Sequence, residues 1–160
     1  MTEIGKIRRA LVLVGTWIIK RLLCAGIPMG PKILLTVRGR TTGQPRTTPV
    51  DLLERDDRRW LVATHGGANS NWVHNLHAAG EGILTHGRRR EAVTVVERSS
   101  EAAGRVLKEV LGPRLASPMR GFVLRRTLDV APDASLDDFI DEARRHPVFE
   151  LRSRPEASSS

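Results

Sequence analysis

Three arginines lie close together where a short apolar stretch ends. Arg38, Arg40 and Arg46 fall within residues 32–50, which read KILLTVRGRTTGQPRTTPV and include two glycines and several threonines. Guanidinium forks, threonine hydroxyls and backbone N–H groups freed at glycine are the donors that bind phosphates and carboxylates. The segment therefore predicts an anion site. A solvated, arginine-rich hairpin tip explains the same spacing equally well.

A second polar segment follows the next apolar stretch. Residues 64–80 read THGGANSNWVHNLHAAG, with Gly66 and Gly67 adjacent. A glycine pair directly after a strand lets the backbone approach a planar ligand closely. Ser70 or either neighbouring asparagine can cap the helix that follows, which carries Trp72. The alternative is an ordinary strand–turn–helix connection with Trp72 as a core anchor.

The elements that would hold these segments are short and mostly aliphatic. The pattern predicts strands at 32–38, 47–53, 59–64, 82–85, 91–97 and 147–152, with a polar loop of about eight residues between the first two. It predicts one helix from Ser99 or Ser100 to about Leu111, where Gly112 and Pro113 stop it, and another over 134–145. At 160 residues the chain is long enough for one sizeable core.

The two polar segments together resemble the deazaflavin-dependent nitroreductase family of actinobacteria. GRTTGQPRTTP, LVATHGG and NWVHNL match, in that order, the family's GR-x-(S/T)-G-x-PR-x-(S/T)-P loop and its (A/S)-x-GG…W-x-x-NL segment, and the resemblance covers residues 27–96. It implies an α+β fold, a split β-barrel of antiparallel strands like that of flavin reductases, with an N-terminal helix and peripheral helices. It also implies binding of coenzyme F-420, a deazaflavin with a phosphate and an oligoglutamate tail.

The resemblance assigns the cofactor contacts residue by residue. The phosphate region would be held by Arg40, Thr41 and Thr42, and the tail and ring by Arg46, Thr47, Thr48, Pro49 and Val50. The ring side would be formed by Ala63, Thr64, His65 and Gly66, and the helix start beside the cofactor by Asn71, Trp72 and Asn75. The implied activity is hydride transfer from the reduced cofactor to a quinone, a nitro compound or an activated double bond.

The chain departs from the family pattern at the substrate wall. Characterised nitroreductases place tyrosines there, and this chain contains none. Pro118, Met119 and Phe122 would occupy that wall, and solvent or His65 would supply the proton. No catalytic residue is assigned. The alternatives are flavin mononucleotide (FMN) on the same barrel, and a non-catalytic protein that binds a lipid or fatty acid.

Other classes of function have weaker support in the sequence. His74 and His77 share a helix face, but no HExxH motif or cysteine pair accompanies them, so no metal site is expected. The arginine run 88–90 lacks interleaved aromatic residues, so no nucleic acid is expected as a partner. The implied partner is a small-molecule substrate, and the oligomeric state stays open.

The N-terminal segment has a helical apolar stripe flanked by cations. Residues 1–26 are predicted to form an amphipathic helix whose apolar run is too short to span a bilayer. It would lie at an anionic membrane surface with Trp17 at headgroup depth, or pack on the barrel or on a partner subunit. The expected location is the cytoplasm or the inner face of the cell membrane. Residues 27–153 would form the cofactor-binding domain and 154–160 a disordered tail.

Overall fold

A computed structural model of the chain describes residues 10, 13–15, 17–22, 32–64, 66–118, 121, 124–125 and 127–154. Six antiparallel strands in this part of the chain close into a barrel in the order β1-β2-β3-β6-β5-β4. The strands are β1 Lys32–Arg38, β2 Pro45–Arg55, β3 Arg58–Val62, β4 Glu81–His86, β5 Arg89–Glu97 and β6 Val148–Ser153. The predicted α+β class with an antiparallel barrel is confirmed.

Helices fill the connections between the strands. A 3₁₀ turn, Gly67–Asn69, leads into α1 (Asn71–Ala79), which joins β3 to β4. After β5 the chain forms α2 (Ser100–Val106), a π-helical turn (Leu107–Leu111), α3 (Gly112–Leu115) and, before β6, α4 (Leu136–Arg145). The serine predicted to cap the first of these is Ser99, whose side chain accepts from the Ala102 N–H.

Two predicted boundaries are wrong for local reasons. The loop between β1 and β2 spans only residues 39–44, because β2 begins at Pro45. Gly112 and Pro113 do not stop the helix. The π-helical turn before them shifts the hydrogen-bond register, so that Pro113 falls in the first turn of α3, where its missing N–H leaves no bond unmade.

Alternate residues of the strands build two separate cores. The first core takes side chains from all six strands and therefore fills the barrel, and helix α1 adds the fully buried Val73 and Leu76 to it. The second core packs the outer face of β3, through Trp60 and Val62, against α2 and α4. In this way α1 is anchored by its apolar face, which leaves its polar face beside the β1–β2 loop.

Helix α4 is fixed at both ends. Ser135 caps it with a reciprocal capping box in which Asp138 bonds back to the Ser135 N–H. Toward its end, the helix packs closely on the turn at Gly67, where a Cβ would lie 2.4 Å from the Arg145 carbonyl oxygen. The second polar segment is therefore positioned by an element that lies far away in the sequence.

The two ends of the chain are described only in part. Residues 10, 13–15 and 17–22 are helical, and the rest of the predicted helix 1–26, with Cys24, lies outside the described residues. Among the described residues, no helix has the length and apolar character needed to cross a membrane. Arg154, assigned above to a disordered tail, instead bonds from its backbone N–H to the Ala92 carbonyl at 3.0 Å and from Nη1 to Glu81 at 2.8 Å. The tail 155–160 is not described.

Candidate functional site

A cleft of about 440 Å³ opens between the β1–β2 loop and helix α1. Its lining combines the two polar segments of the sequence: Val37, Gly39, Arg40, Thr41, Thr42, Arg46, Thr48, Asn71, Trp72 and Asn75. Eight of these ten are residues assigned to the cofactor by resemblance. The structure thus brings the two segments together at one place, and their binding of a cofactor stays a prediction.

The loop that forms one wall is closed on itself. The Gly39 N–H bonds to the Gln44 carbonyl at 2.8 Å, and the Gly43 N–H bonds to the Gly39 carbonyl at 2.9 Å. A Cβ at Gly39 would lie 3.2 Å from both the Gln44 carbonyl and the Thr42 hydroxyl, so a side chain there would disturb the turn. Gly43 has a φ of 70°, a conformation that favours glycine. The two glycines make a tight turn that presents Arg40 and Thr41 at the cleft.

Arg40 is bound to helix α1. Its backbone N–H donates to the Asn75 Oδ1 at 3.2 Å, and its Nη1 donates to the same oxygen at 2.9 Å. Nη1 also reaches the Asn71 carbonyl at 3.5 Å. Because two donors converge on it, the atom of the Asn75 amide that faces Arg40 is the oxygen. The guanidinium of Arg40 is therefore already engaged by the protein.

Arg46 is the other arginine that lines this cleft, and it differs from Arg40 in its contacts. It is exposed near the start of β2 and, within the described part of the chain, has no hydrogen-bond or ion-pair partner. Thr48, two residues later on the same face, also lines the cleft. Arg46 thus offers an uncommitted guanidinium fork to a ligand.

Three further residues assigned to the cofactor lie away from this cleft. The side chains of Thr47 and Pro49 point to the opposite face of β2 from Arg46 and Thr48, because alternate residues of a strand face opposite sides. The Thr47 hydroxyl lies 2.8 Å from that of Thr36 across the strand pair. Val50 faces inward but is buried in the barrel core.

A second cleft, of about 600 Å³, lies beside the glycine turn. Thr64 and Gly66, two of the residues assigned to the ring side, line it. Ala63 is fully buried in the barrel core and contributes its carbonyl, which contacts Nδ1 of His146 at 2.7 Å. His65 lies outside the described residues. The structure therefore divides the predicted site between two clefts that share no lining residue.

The second cleft contains residues that the sequence did not single out. Apart from Gly67, Ala68 and Asn69 of the second polar segment, its remaining lining is Thr127, Arg144, Arg145 and His146. Behind it, the buried Glu142 accepts from the Asp129 N–H at 3.0 Å, pairs with Arg145, and lies 3.1 Å from His146 Nε2. Ala63 and His146 are 83 residues apart in sequence. No local pattern joins them, because the contact arises only when α4 packs on the barrel.

The aromatic wall of the first cleft is Trp72. Its half-buried ring tilts against Phe149 of β6, with ring centroids 6.0 Å apart and an interplanar angle of 56°. The ring of His77 also lies against Phe149, with centroids 5.3 Å apart, and its Nε2 lies 2.5 Å from the Glu97 carboxylate. These contacts fix the orientation of α1 on the barrel. Of the predicted substrate wall, Pro118 is exposed, whereas Met119 and Phe122 are outside the described residues.

A third cavity, of about 750 Å³, lies by the β2–β3 and β4–β5 turns, away from both clefts. Arg59 and Glu91 meet there through two hydrogen bonds of 2.8 and 2.7 Å, and Ser153 also donates to Glu91. The Arg59 hydrogen bond, aided by Ser153, lowers the pKa of Glu91 to about 2, and the same bond raises the pKa of Arg59. Both charges are satisfied within the protein, so the pair holds the barrel wall. In the described part of the chain, no group of three or more metal-ligating side chains is found.

Comparison with known proteins supports the resemblance seen in the motifs. Residues 20–113 match the sequence profile of the family described as F420H(2)-dependent quinone reductase. An F420H(2)-dependent quinone reductase of Mycobacterium tuberculosis strain H37Rv is 36% identical over 66 residues, which cover 40% of this chain and 44% of that protein. The same protein of strain CDC 1551 matches to the same extent. The chain thus spans less than half the length of these relatives.

The fold recurs in a solved structure that has low sequence identity to this chain. The heme storage protein HutZ of Vibrio cholerae shares it with a TM-score of 0.50 and 11% identity, over 78% of this chain and 82% of that chain. An F420-H2 dependent reductase aligns over 76% of this chain and 94% of its own, with a TM-score of 0.42 and 19% identity.

Proposed function

The chain belongs to the F420H(2)-dependent quinone reductase family, and on that basis we propose that it is an oxidoreductase that uses reduced coenzyme F-420 to reduce a quinone. The observation that carries the proposal is the first cleft, where three threonines and an arginine with no partner among the described residues meet the start of a helix. The clefts of the barrel would then supply the binding site, and the cofactor the redox chemistry.

The first cleft fits the anionic part of the cofactor. A phosphate and an oligoglutamate tail require fixed donors, and Arg46, Thr42 and Thr48 supply them along one wall. Helix α1 carries no acidic residue in its first turn, so its N-terminal dipole is not offset by a nearby carboxylate. Both features favour an anion over a cation at this place.

The second cleft fits the role of the ring side. When bound in its reduced form, the deazaflavin supplies a hydride to the acceptor. The residues there would hold the ring in place: Gly66 permits close approach of the backbone, and His146 fixes the strand end at Ala63. Trp72, in the wall of the first cleft, would exclude water from the bound cofactor. Solvent or His65 would provide the proton, since the chain contains no tyrosine.

Nitro compounds and activated double bonds are further acceptors that we propose, since they accept a hydride by the same chemistry. The FMN alternative gains no support from the family match. A non-catalytic lipid-binding protein would differ from a quinone reductase in one observable: it would bind an apolar ligand without turning over reduced coenzyme F-420.

A peripheral position at an anionic membrane is our proposal for the N-terminal helix. Leu13, Val14, Trp17 and Ile18 are exposed, Trp17 by 58%, and they occupy neighbouring turns of the helix. Lys20 and Arg21 follow them, and the Arg21 guanidinium lies 5.0 Å from the centre of the Trp17 ring. An apolar face with adjacent cations complements acidic lipid headgroups. Quinones partition into bilayers, so this position would give access to the substrate.

Turnover of a water-soluble naphthoquinone tests the proposal directly. The purified chain is mixed with reduced coenzyme F-420 and the quinone, and the return of the oxidised deazaflavin is followed by its fluorescence. We expect enzyme-dependent oxidation that requires the quinone and slows in the Arg46→Ala variant. Unchanged rates with and without the protein would refute the proposed activity. Nitroaromatic and enone acceptors in the same assay decide the wider substrate range.

A further inference from the structure

We propose that Arg40 does not contact the anionic ligand of the first cleft but positions Asn75, whose side-chain NH₂ group donates to that ligand together with Arg46. The inference rests on the proposed function only in taking the ligand to be an anion of the coenzyme type. It gives the two arginines different roles, although the motif places both of them in the same loop.

Arg40 is bonded to the side chain of Asn75 on helix α1. Its Nη1 and its backbone N–H both donate to Asn75 Oδ1, at 2.9 and 3.2 Å. The guanidinium of Arg40 is bonded to helix α1 through Nη1, whereas the exposed Arg46 has no partner among the described residues. Arg46 is therefore the cation that is free to bind.

The side-chain amide of Asn75 is bonded to Arg40 through its oxygen only. The residue is only 6% exposed and lines the cleft. Its oxygen is taken by Arg40, and its NH₂ group donates to no residue within the described part of the chain. Among the described residues, the only fully buried side-chain polar atom without a partner is Trp60 Nε1, so the Asn75 NH₂ group is open to the cleft and not sealed in the core. Because the other side of the amide is occupied, the NH₂ group is the part that remains for a ligand in the cleft.

The chemistry of the group limits what it can bind. An amide NH₂ group donates only, so its partner must be an acceptor such as a phosphate or carboxylate oxygen. A neighbouring guanidinium favours the charged forms of such acceptors. The pair thus fits a phosphate oxygen of the cofactor or a carboxylate of its tail, and free phosphate is the simplest probe of the same chemistry.

The Asn75→Asp substitution isolates the donor. Aspartate keeps an oxygen acceptor for Arg40 but replaces the NH₂ group with a second oxygen and adds a negative charge. We expect affinity for oxidised coenzyme F-420 to fall roughly ten- to a hundredfold, with the fold retained. The matched control is His74→Asp, one residue earlier on the same helix, exposed and outside the cleft, for which little change is expected. Equal affinity of Asn75→Asp and the wild type would overturn the proposal.

A double-mutant cycle separates positioning from direct contact. Arg40→Met, Asn75→Leu and the double variant are titrated with oxidised coenzyme F-420. If Arg40 acts through Asn75, the double variant binds no more weakly than Asn75→Leu alone. Additive losses would show that Arg40 contacts the ligand itself, which would overturn its positioning role. Far-ultraviolet circular dichroism of each variant verifies that the barrel is intact.

Nuclear magnetic resonance distinguishes failure of this inference from failure of the proposed function. In ¹⁵N-labelled wild-type protein, the side-chain NH₂ signal of Asn75 is assigned by its disappearance in Asn75→Asp. We expect that signal to shift on addition of inorganic phosphate and of oxidised coenzyme F-420. A shift with phosphate but no binding of the cofactor would contradict the proposed function and support the anion site. Saturable cofactor binding without a shift of the Asn75 signal would overturn the site assigned here and leave the function standing.

Discussion

The Asn75 side-chain oxygen accepts two hydrogen bonds from Arg40, one from the backbone and one from the guanidinium. The two residues are 35 positions apart and lie on different walls of the first cleft. Their contact joins the β1–β2 loop to helix α1, which is itself anchored in the barrel core by Val73 and Leu76. The distance between the walls is therefore set by the protein before any ligand binds, which lowers the entropic cost of binding.

Replacement of Arg46 by alanine should weaken cofactor binding. We expect a loss of about 1.5–3 kcal/mol, the range for hydrogen bonds to a charged group, because Arg46 lines the cleft and has no partner in the described part of the chain. The free energy of unfolding should hardly change, since the side chain is exposed. Fluorescence titration measures the first quantity and urea denaturation the second. Arg38→Ala is the matched control, because Arg38 is also exposed but does not line the cleft; equal losses in both variants would show only a general effect of charge.

Gly67→Ala should destabilise the fold more than Gly80→Ala. Both glycines have positive φ, of 54° and 67°, so both substitutions strain the backbone. A Cβ at Gly67 would also lie 2.4 Å from the Arg145 carbonyl, whereas a Cβ at Gly80 has nothing within 4 Å. We expect the difference in the free energy of unfolding to be about 1–3 kcal/mol, the cost of overpacking. Equal destabilisation in urea denaturation would mean that α4 does not pack closely on the turn.

Acid should weaken the barrel wall through Glu91. The pKa of this carboxyl is about 2 in the folded chain, against an ordinary value of 4.5, mainly because of its hydrogen bond with Arg59. A folded-state pKa below the ordinary value stabilises the fold fully above pH 4.5, and that contribution disappears as the pH falls toward 2. The side chains are 24% and 38% exposed, so screening reduces the contribution to roughly 1 kcal/mol.

The Glu91→Gln variant measures that contribution. At neutral pH it should be less stable than the wild type, and the difference should shrink as the pH falls from 4.5 toward 2. Urea denaturation across this range gives the comparison. A difference that stays constant with pH would show that the carboxylate charge is not what holds the pair.

Removal of the apolar face of the N-terminal helix should abolish membrane binding. The triple variant Leu13→Ser, Trp17→Ser, Ile18→Ser replaces three exposed side chains, so the barrel should keep its stability. Co-sedimentation with vesicles that contain phosphatidylglycerol should be strong for the wild type, weak for the variant and weaker still in salt, because screening acts within about 10 Å at 0.1 M. If the wild type ignores these vesicles and the variant loses thermal stability or changes its oligomeric state, the helix packs on protein instead.

The sequence predicted the strands more successfully than the geometry of the site. The strand β1 was placed correctly at both ends, because its β-branched and leucine residues form an unbroken run between polar segments. The motifs also placed Arg46 and Asn75 at a common site. They could not show that Arg40 is held by Asn75, because that bond depends on how α1 is seated on the barrel. The strand period, by contrast, would have shown that Thr47 and Pro49 face away from Arg46.

The second cleft shows the other limit of local patterns. His146 follows α4, a helix that the sequence predicted over 134–145. Its contact with the Ala63 carbonyl was not readable, because long-range packing brings the two together. The prediction that the preceding helix stops at Gly112 was wrong for a different reason. A π-helical turn places Pro113 in the first turn of α3, a position that tolerates proline.

Titration of the wild-type chain with oxidised coenzyme F-420, followed by quenching of the deazaflavin fluorescence, tests the central claim most directly. The account predicts saturable quenching that weakens in Arg46→Ala and in Asn75→Asp, with little response to FMN in a parallel titration. Tight binding of FMN with no response to coenzyme F-420 would contradict the claim, because the barrel would then belong to a flavin enzyme.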